Sequence, residues 1–312
     1  MEKIATRDAY GKALVRLGEI NKDIVVLDAD LSKSTKTIDF KKVFPERFFN
    51  MGIAEQNLLG TAAGLAASGK IPFVSTFAVF ATGRAFEQVR NSIAYTRLNV
   101  KIAATHAGLT VGEDGASHQA LADIALMRAL PNMVVVVPAD AVETEKAVFA
   151  AAGMEGPVYI RMGRSGVPVL FAGDYDFKIG RAAMLKEGCD VTVIACGIMV
   201  AEALLAAQRL NEQKISVRVL NMSTIKPIDE EAVLKAARET GAVVTAEEHT
   251  IIGGLGSAVA EILAEKHPAL LERVGIKDTF GESGKPQELL DKYGLTAADI
   301  ESAVKRVLKR KV

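Results

Sequence analysis

Short, β-branched apolar runs alternate with stretches of helical periodicity from one end of the chain to the other. In the first half, Ile24-Val25-Val26-Leu27, Phe73-Val74-Ser75, Val100-Lys101-Ile102-Ala103-Ala104, Val134-Val135-Val136-Val137 and Val158-Tyr159-Ile160 read as strands. The gaps between them predict helices over 7–20, 53–67, 83–95, 119–128 and 142–151. Between Gly163 and Gly180 the pattern breaks, and its Gly, Pro and Asp content reads as a linker. A second alternation follows, with strands at 191–195, 217–220 and 243–246 and helices near 199–211, 229–239, 255–266 and 297–309. Strands alternating with helices are the signature of parallel sheets with crossover connections. The expected fold is therefore α/β, with two doubly wound, mostly parallel-sheet domains at 1–165 and 186–312, joined by a linker at 166–185.

In open sheets of this kind, ligands sit beyond the carboxyl ends of the strands. Strand 24–27 runs into Asp28-Ala29-Asp30-Leu31-Ser32-Lys33-Ser34, and strand 73–75 into Thr76-Phe77-Ala78-Val79-Phe80. Strand 100–104 leads to Thr105-His106 and then Gly112-Glu113-Asp114-Gly115-Ala116-Ser117-His118, and strand 158–160 to Arg161-Met162-Gly163-Arg164. Each residue also has a plain structural role open to it. Asp30 and Ser34 suit a turn or a cap, Phe77 and Phe80 suit a core, and Arg164 suits a pair with a nearby acid. Their joint placement is what those roles leave unexplained. Glu55 stands apart as the one charged residue between Arg47 and Lys70, at the start of a helix of small apolar residues. Burial there without a cationic partner favours the protonated form, which suits a group that holds or shares a proton. A solvent-facing acid complementing the helix dipole is the alternative for the same stretch.

Composition narrows the classes. In 312 residues, 38 Lys plus Arg balance 38 Asp plus Glu, so no basic excess points to nucleic acid or an anionic membrane. Hydrophobic residues make up 49 %, enough for a sizeable core. Cys189 and Cys196 fit no metal spacing and are too few for a disulfide framework; Cys196, in an apolar run, reads as a buried thiol. With no apolar signal core and no span-length segment, a soluble protein of a reducing, cytoplasmic compartment is expected.

Several motifs together resemble one family. Gly52-Ile53-Ala54-Glu55-Gln56, Thr76-Phe77-Ala78-Val79-Phe80, Thr105-His106 with Gly112-Glu113-Asp114-Gly115-x-x-His118, and Met162-Gly163-Arg164 resemble the pyrimidine-binding domain of transketolase. Ser223-Thr224-Ile225-Lys226-Pro227-Ile228-Asp229, Thr245-Ala246-Glu247-Glu248-His249, Gly253-Gly254-Leu255-Gly256-Ser257 and Phe280-Gly281-Glu282-Ser283-Gly284 resemble its C-terminal domain. The Gly-Asp-Gly…Asn motif that binds diphosphate and metal in thiamine enzymes is absent, so the chain resembles the C-terminal subunit of a split transketolase.

The resemblance implies thiamine diphosphate as cofactor, with Mg2+ or Ca2+ held by an N-terminal, diphosphate-binding partner subunit. It also implies a homodimer of this chain within a heterotetramer. The implied reaction moves a two-carbon ketol unit from a ketose phosphate to an aldose phosphate. By resemblance, Glu55 bonds a ring nitrogen of the aminopyrimidine, Phe77 and Phe80 contact that ring, and Asp30 lends negative potential beside the cofactor. His118 donates to the donor sugar as charge develops, and Asp114 accepts from a sugar hydroxyl. Arg7, Ser34, His106 and Arg164 match the sugar-phosphate pocket, and no metal ligand is expected on this chain. One departure is Gly83, where the family often carries a further Tyr. The rivals are a β-type subunit of another thiamine enzyme, either a deoxyxylulose-phosphate synthase or a 2-oxoacid dehydrogenase, and a non-catalytic α/β binding subunit.

Overall fold

A computed structural model describes residues 2–311. Its first sheet has seven strands in the order Thr224–Lys226, Val134–Val136, Val158–Arg161, Lys101–Ala104, Ile71–Ser75, Ile24–Asp28, Phe48–Asn50. All neighbours are parallel except the first pair, in which Thr224–Lys226 runs antiparallel to Val134–Val136. The second sheet has five strands, ordered Leu270–Ile276, Ala242–Thr250, Val191–Ala195, Val217–Asn221, Ala183–Lys186, and only the last pairs antiparallel. The fold is thus α/β with two mostly parallel sheets.

Successive residues of Ile24–Asp28 feed opposite apolar layers, as the two-residue period of a strand requires. Ile24 and Val26 pack with Tyr10, Leu14 and Leu17 of helix Thr6–Ile20, while Val25 and Leu27 pack with Leu58 and Leu59 of helix Glu55–Ala67. The second layer does not stop at the domain edge. It continues through Met127 and Val135 to Ile194, Val243 and Leu255, so the two sheets share one core.

Most predicted elements occur within a residue or two of their expected ends. Three differences stand out. The helix expected over 83–95 is two wide π-type stretches, Phe80–Arg84 and Gln88–Ala94. Helix Asp123–Ala129 starts four residues later than expected from 119, because Gln119 and Ala120 carry loop hydrogen bonds instead. At the ends of the 166–185 segment, Gly166–Pro168 pairs with Lys3–Ala5, and Ala183–Lys186 joins the second sheet. No helix is long and apolar enough to cross a membrane among the described residues.

Candidate active site

The candidate residues gather at the carboxyl edge of the first sheet. Strands Ile71–Ser75 and Lys101–Ala104 keep pairing past their ends: Ala78 N donates to Thr105 O at 2.7 Å and Thr105 N to Thr76 O at 3.1 Å. That continued register sets Phe77 beside His106, with ring centroids 3.8 Å apart and an 18° tilt. Phe80 stacks on Phe77 at 5.7 Å, and His118 meets Phe80 edge-on at 5.4 Å. Phe77 is buried and Phe80 half-buried, so the pair is a wall of the site rather than interior packing alone.

Glu55 opens helix Glu55–Ala67 and is buried, at 6 % exposure. The expectation that it lacks a cationic partner is wrong. Arg84 Nη1 donates to Glu55 Oε1 at 3.1 Å, and the same guanidinium lies 4.0 Å from the centre of the Phe80 ring. Residues 80 and 84 are four apart on the turn Phe80–Arg84, a spacing that sets Arg84 over the Phe80 ring. Acid and ring therefore flank one planar cation that is itself 54 % exposed.

His106 holds a left-handed backbone, φ +57°, a conformation that costs free energy for any residue but glycine. It is fixed by Phe77, by a 2.9 Å bond between Nδ1 and Thr105 Oγ1, and by Arg7 Nη1 3.4 Å from Nε2. Burial, then the charges of Arg7, Arg164 and His118, lower its pKa to about 3, so the imidazole is neutral at pH 7. Arg7, at the start of helix Thr6–Ile20, also donates to the Ser34 backbone oxygen at 3.0 Å. Ser34 thus meets the cluster through its carbonyl. Arg164 donates to Val111 O at 2.5 Å and lies 3.5 Å from Glu113 and 3.7 Å from Asp114. Arg7 and Arg164 line one surface depression of about 530 Å3 with Lys12 and Lys36. Asp30, also left-handed at φ +63°, is tied to Asn50 by two hydrogen bonds of 2.8 and 3.1 Å, at the strand end that leads to Glu55. Its contacts are with that strand end and not with the aromatic wall.

A second group, with no signal in the sequence, lies under the loop that carries both histidines. Arg161 Nε donates to Asp123 Oδ2 at 2.7 Å, and Tyr159 donates to the same oxygen at 2.7 Å. Arg161 Nη2 donates to Ala120 O and to Glu248 O, the latter on the second sheet. Arg161 ends a strand and Glu248 belongs to an acidic motif, but nothing in the sequence says that they meet.

Among the described residues, no group of three or more His, Cys, Asp or Glu side chains is placed to hold a metal ion. Residues 2–169 match the family model of the transketolase pyrimidine-binding domain, and residues 180–300 that of the transketolase C-terminal domain. The chain belongs to the transketolase family. Within it, a putative transketolase C-terminal section of Methanocaldococcus jannaschii is 53 % identical over 307 residues, covering 97 % of this chain and 95 % of that one. A 6-deoxy-6-sulfo-D-fructose transketolase subunit of a Clostridium species is 45 % identical over 311 residues, covering 100 % and 97 %. A solved split-gene transketolase, described as an inactive β4 tetramer, superimposes with a TM-score of 0.94 at 65 % identity, covering 99 % of this chain and all of that one. The transketolase fold thus accounts for the pairing of these two sheets, and the chain is a C-terminal section of the family. A pyrimidine-binding domain also places it among thiamine diphosphate proteins.

Proposed function

We propose that the chain is the C-terminal subunit of a two-subunit transketolase that moves a two-carbon ketol unit between sugar phosphates, with thiamine diphosphate bound jointly with an N-terminal partner subunit. The observation that carries this reading is the convergence of Glu55, the Phe77–Phe80 wall, both loop histidines and the Arg7–Arg164 depression on one sheet edge. The residues fit an aminopyrimidine. Arg84 already seats a planar, hydrogen-bonding cation on the Glu55 carboxyl and the Phe80 face. The helix bearing Glu55 and the turn before it support a shared site, because Ile53, two residues ahead of the helix, is 78 % exposed and Gly60 and Gly64 face open space, a surface suited to another subunit.

When bound, thiamine diphosphate supplies the carbanion that breaks and forms the carbon–carbon bond. The protein groups bind, orient and move protons around it. Glu55 holds a ring nitrogen through its carboxyl and Phe77 and Phe80 give apolar faces to the ring. Asp30 adds negative potential at the strand edge. His118 donates to the substrate oxygen where charge develops, and Asp114 accepts from a sugar hydroxyl. Arg7, Arg164 and neutral His106, with Ser34 beside them, hold the terminal phosphate; guanidinium forks match its oxygens. The diphosphate and its Mg2+ or Ca2+ fall to the partner, in a cytoplasmic heterotetramer built on a dimer of this chain. A sulfonate suits the same cations, and the sulfo-sugar relative makes a sulfo-ketose the second reading.

Mixing the chain with a diphosphate-binding N-terminal subunit, thiamine diphosphate and Mg2+ should give turnover of xylulose 5-phosphate with ribose 5-phosphate. Preference for 6-deoxy-6-sulfo-fructose in the same mixture supports the second reading. No transfer with either donor overturns both. Arg164→Ala should raise KM for the anionic sugar far more than it lowers kcat, since it removes binding shared by ground and transition states.

A further inference from the structure

The loop from Thr105 to Leu121 carries His106, Asp114 and His118, yet it has almost no regular structure of its own. It contains the three-residue turn Leu109–Val111, and beyond that it is held from outside. Both domains hold it: Arg161, Met162, Arg164 and Ser165 from the first, and a set of residues from the second. Glu248, on strand Ala242–Thr250, is buried and accepts a 2.7 Å hydrogen bond from the Thr110 backbone N–H. Gly108 makes room for that carboxyl: its φ is +82°, and a Cβ there would collide with the Glu248 carboxyl carbon. Further along, Gln119 Nε2 donates to Glu282 O at 2.9 Å, a Cβ at Gly115 would meet Ser283 Oγ at 2.5 Å, and Thr250 N donates to Leu121 O at 2.8 Å. From the first domain, Ser165 Oγ donates to Thr110 O at 3.1 Å, so the Thr110 residue is gripped on both sides.

We infer that Glu248 is a positioning residue for the sugar site, acting through the Thr110 N–H to hold the loop that presents His106, Asp114 and His118. This deepens the transketolase reading and rests on it. It gives the second domain a part in substrate binding although, among the described residues, no aromatic ring of that domain stacks on the wall. The grip needs an acceptor oxygen and the length of a glutamate, not a charge. Burial, opposed by Arg161 and the Thr110 N–H, raises the Glu248 carboxyl to about 7, and both of its protonation states keep an acceptor for that N–H. Glutamine therefore substitutes for it, alanine does not, and aspartate, one methylene shorter, does so in part.

The test uses the chain assembled with its N-terminal subunit, thiamine diphosphate and Mg2+. KM and kcat are measured with xylulose 5-phosphate and ribose 5-phosphate, together with amide hydrogen exchange over 108–115. Glu248→Ala should raise KM for the ketose phosphate about tenfold or more and speed exchange of the loop. It should leave the cofactor Kd within about twofold, because the loop binds sugar and not the pyrimidine. Glu248→Gln should restore both readouts, and Glu248→Asp should fall between. If alanine prevents assembly, the aspartate variant carries the test, and an unchanged KM and exchange rate there overturn the inference. A melting temperature that falls with KM unchanged in the alanine or aspartate variant also overturns it, since it makes Glu248 a fold-stabilising group only. A wild-type complex without turnover overturns the transketolase reading and this inference with it, whereas an active wild type with an insensitive Glu248 overturns the inference alone.

Discussion

Replacing Arg161 by methionine tests how the two domains are coupled beneath the site. Arg161 is 6 % exposed and Asp123 fully buried, and their 2.7 Å ion pair sits where helix Asp123–Ala129 begins. Methionine fills most of the aliphatic volume but removes the cation and three hydrogen bonds, to Asp123, Ala120 O and Glu248 O. An ion left buried without its partner costs about 3–5 kcal/mol, a large share of the roughly 5–15 kcal/mol that holds a typical protein folded. Adding Asp123→Asn removes the stranded charge while leaving an oxygen for the Tyr159 hydroxyl. The double variant should then lose only about 1–3 kcal/mol, chiefly the cost of leaving Glu248 O without the Arg161 donor, since Ala120 O still accepts from the Gly108 N–H. The sign of the pH dependence is set by the groups around Asp123. Burial pushes its carboxyl up, but Arg161, His249 and the hydrogen bonds from Arg161 and Tyr159 outweigh burial and keep it below its ordinary value. Without Arg161, burial prevails and the folded-state pKa rises above the unfolded one. The variant is then least handicapped at low pH and loses ground as pH rises. Urea denaturation of the wild type, both single variants and the double variant, at pH 5.5 and pH 8, measures the cycle. Additivity of the two substitutions to within about 0.5 kcal/mol, or a methionine deficit that ignores pH, refutes the reasoning.

Other expectations are simpler. Arg84→Ala should tighten thiamine diphosphate binding to the assembled enzyme by about two- to fivefold, because a half-exposed ion pair of under about 1 kcal/mol no longer competes for Glu55; calorimetric titration showing weaker binding counts against this. Acidification should expose His106 and His249, whose pKa values lie at about 3 and about 4 through burial first. Both groups bind protons more readily unfolded, so each withdraws stability as pH falls below about 6.5. Replacing His106 by Asn should accordingly flatten the acid limb of the stability curve by up to about 1.4 kcal/mol per pH unit, read from urea midpoints. Cys189 is exposed, whereas Cys196 is buried and burial pushes its thiol up. An aromatic disulfide reagent should therefore titrate one thiol in the native chain and two in denaturant.

The fold was legible because its strands are continuous β-branched runs separated by clean helical periods, a pattern that local sequence alone displays. Phe77, Phe80 and His106 were legible for the same reason, since each lies within a few residues of a readable strand end, and His118 because it sits in the loop that leaves such a strand at the carboxyl edge. The short strands Phe48–Asn50 and Thr224–Lys226 were not, because three residues carry too little periodicity and their pairing comes from other parts of the chain. The Arg84–Glu55 pair was not legible because its two residues lie 29 apart on different helical segments, and only tertiary packing brings them together. Glu248 and Arg161 meet across 87 residues of sequence, and only the docking of two sheets brings them together.

The measurement closest to the central claim is turnover of the reconstituted two-subunit complex carrying Glu55→Gln. Glutamine keeps the shape and one acceptor oxygen but cannot hold a shared proton. Transfer from xylulose 5-phosphate should fall by about 100-fold or more with assembly and melting temperature intact. Turnover equal to the wild type would contradict the assignment of Glu55 as the acid that tunes the cofactor.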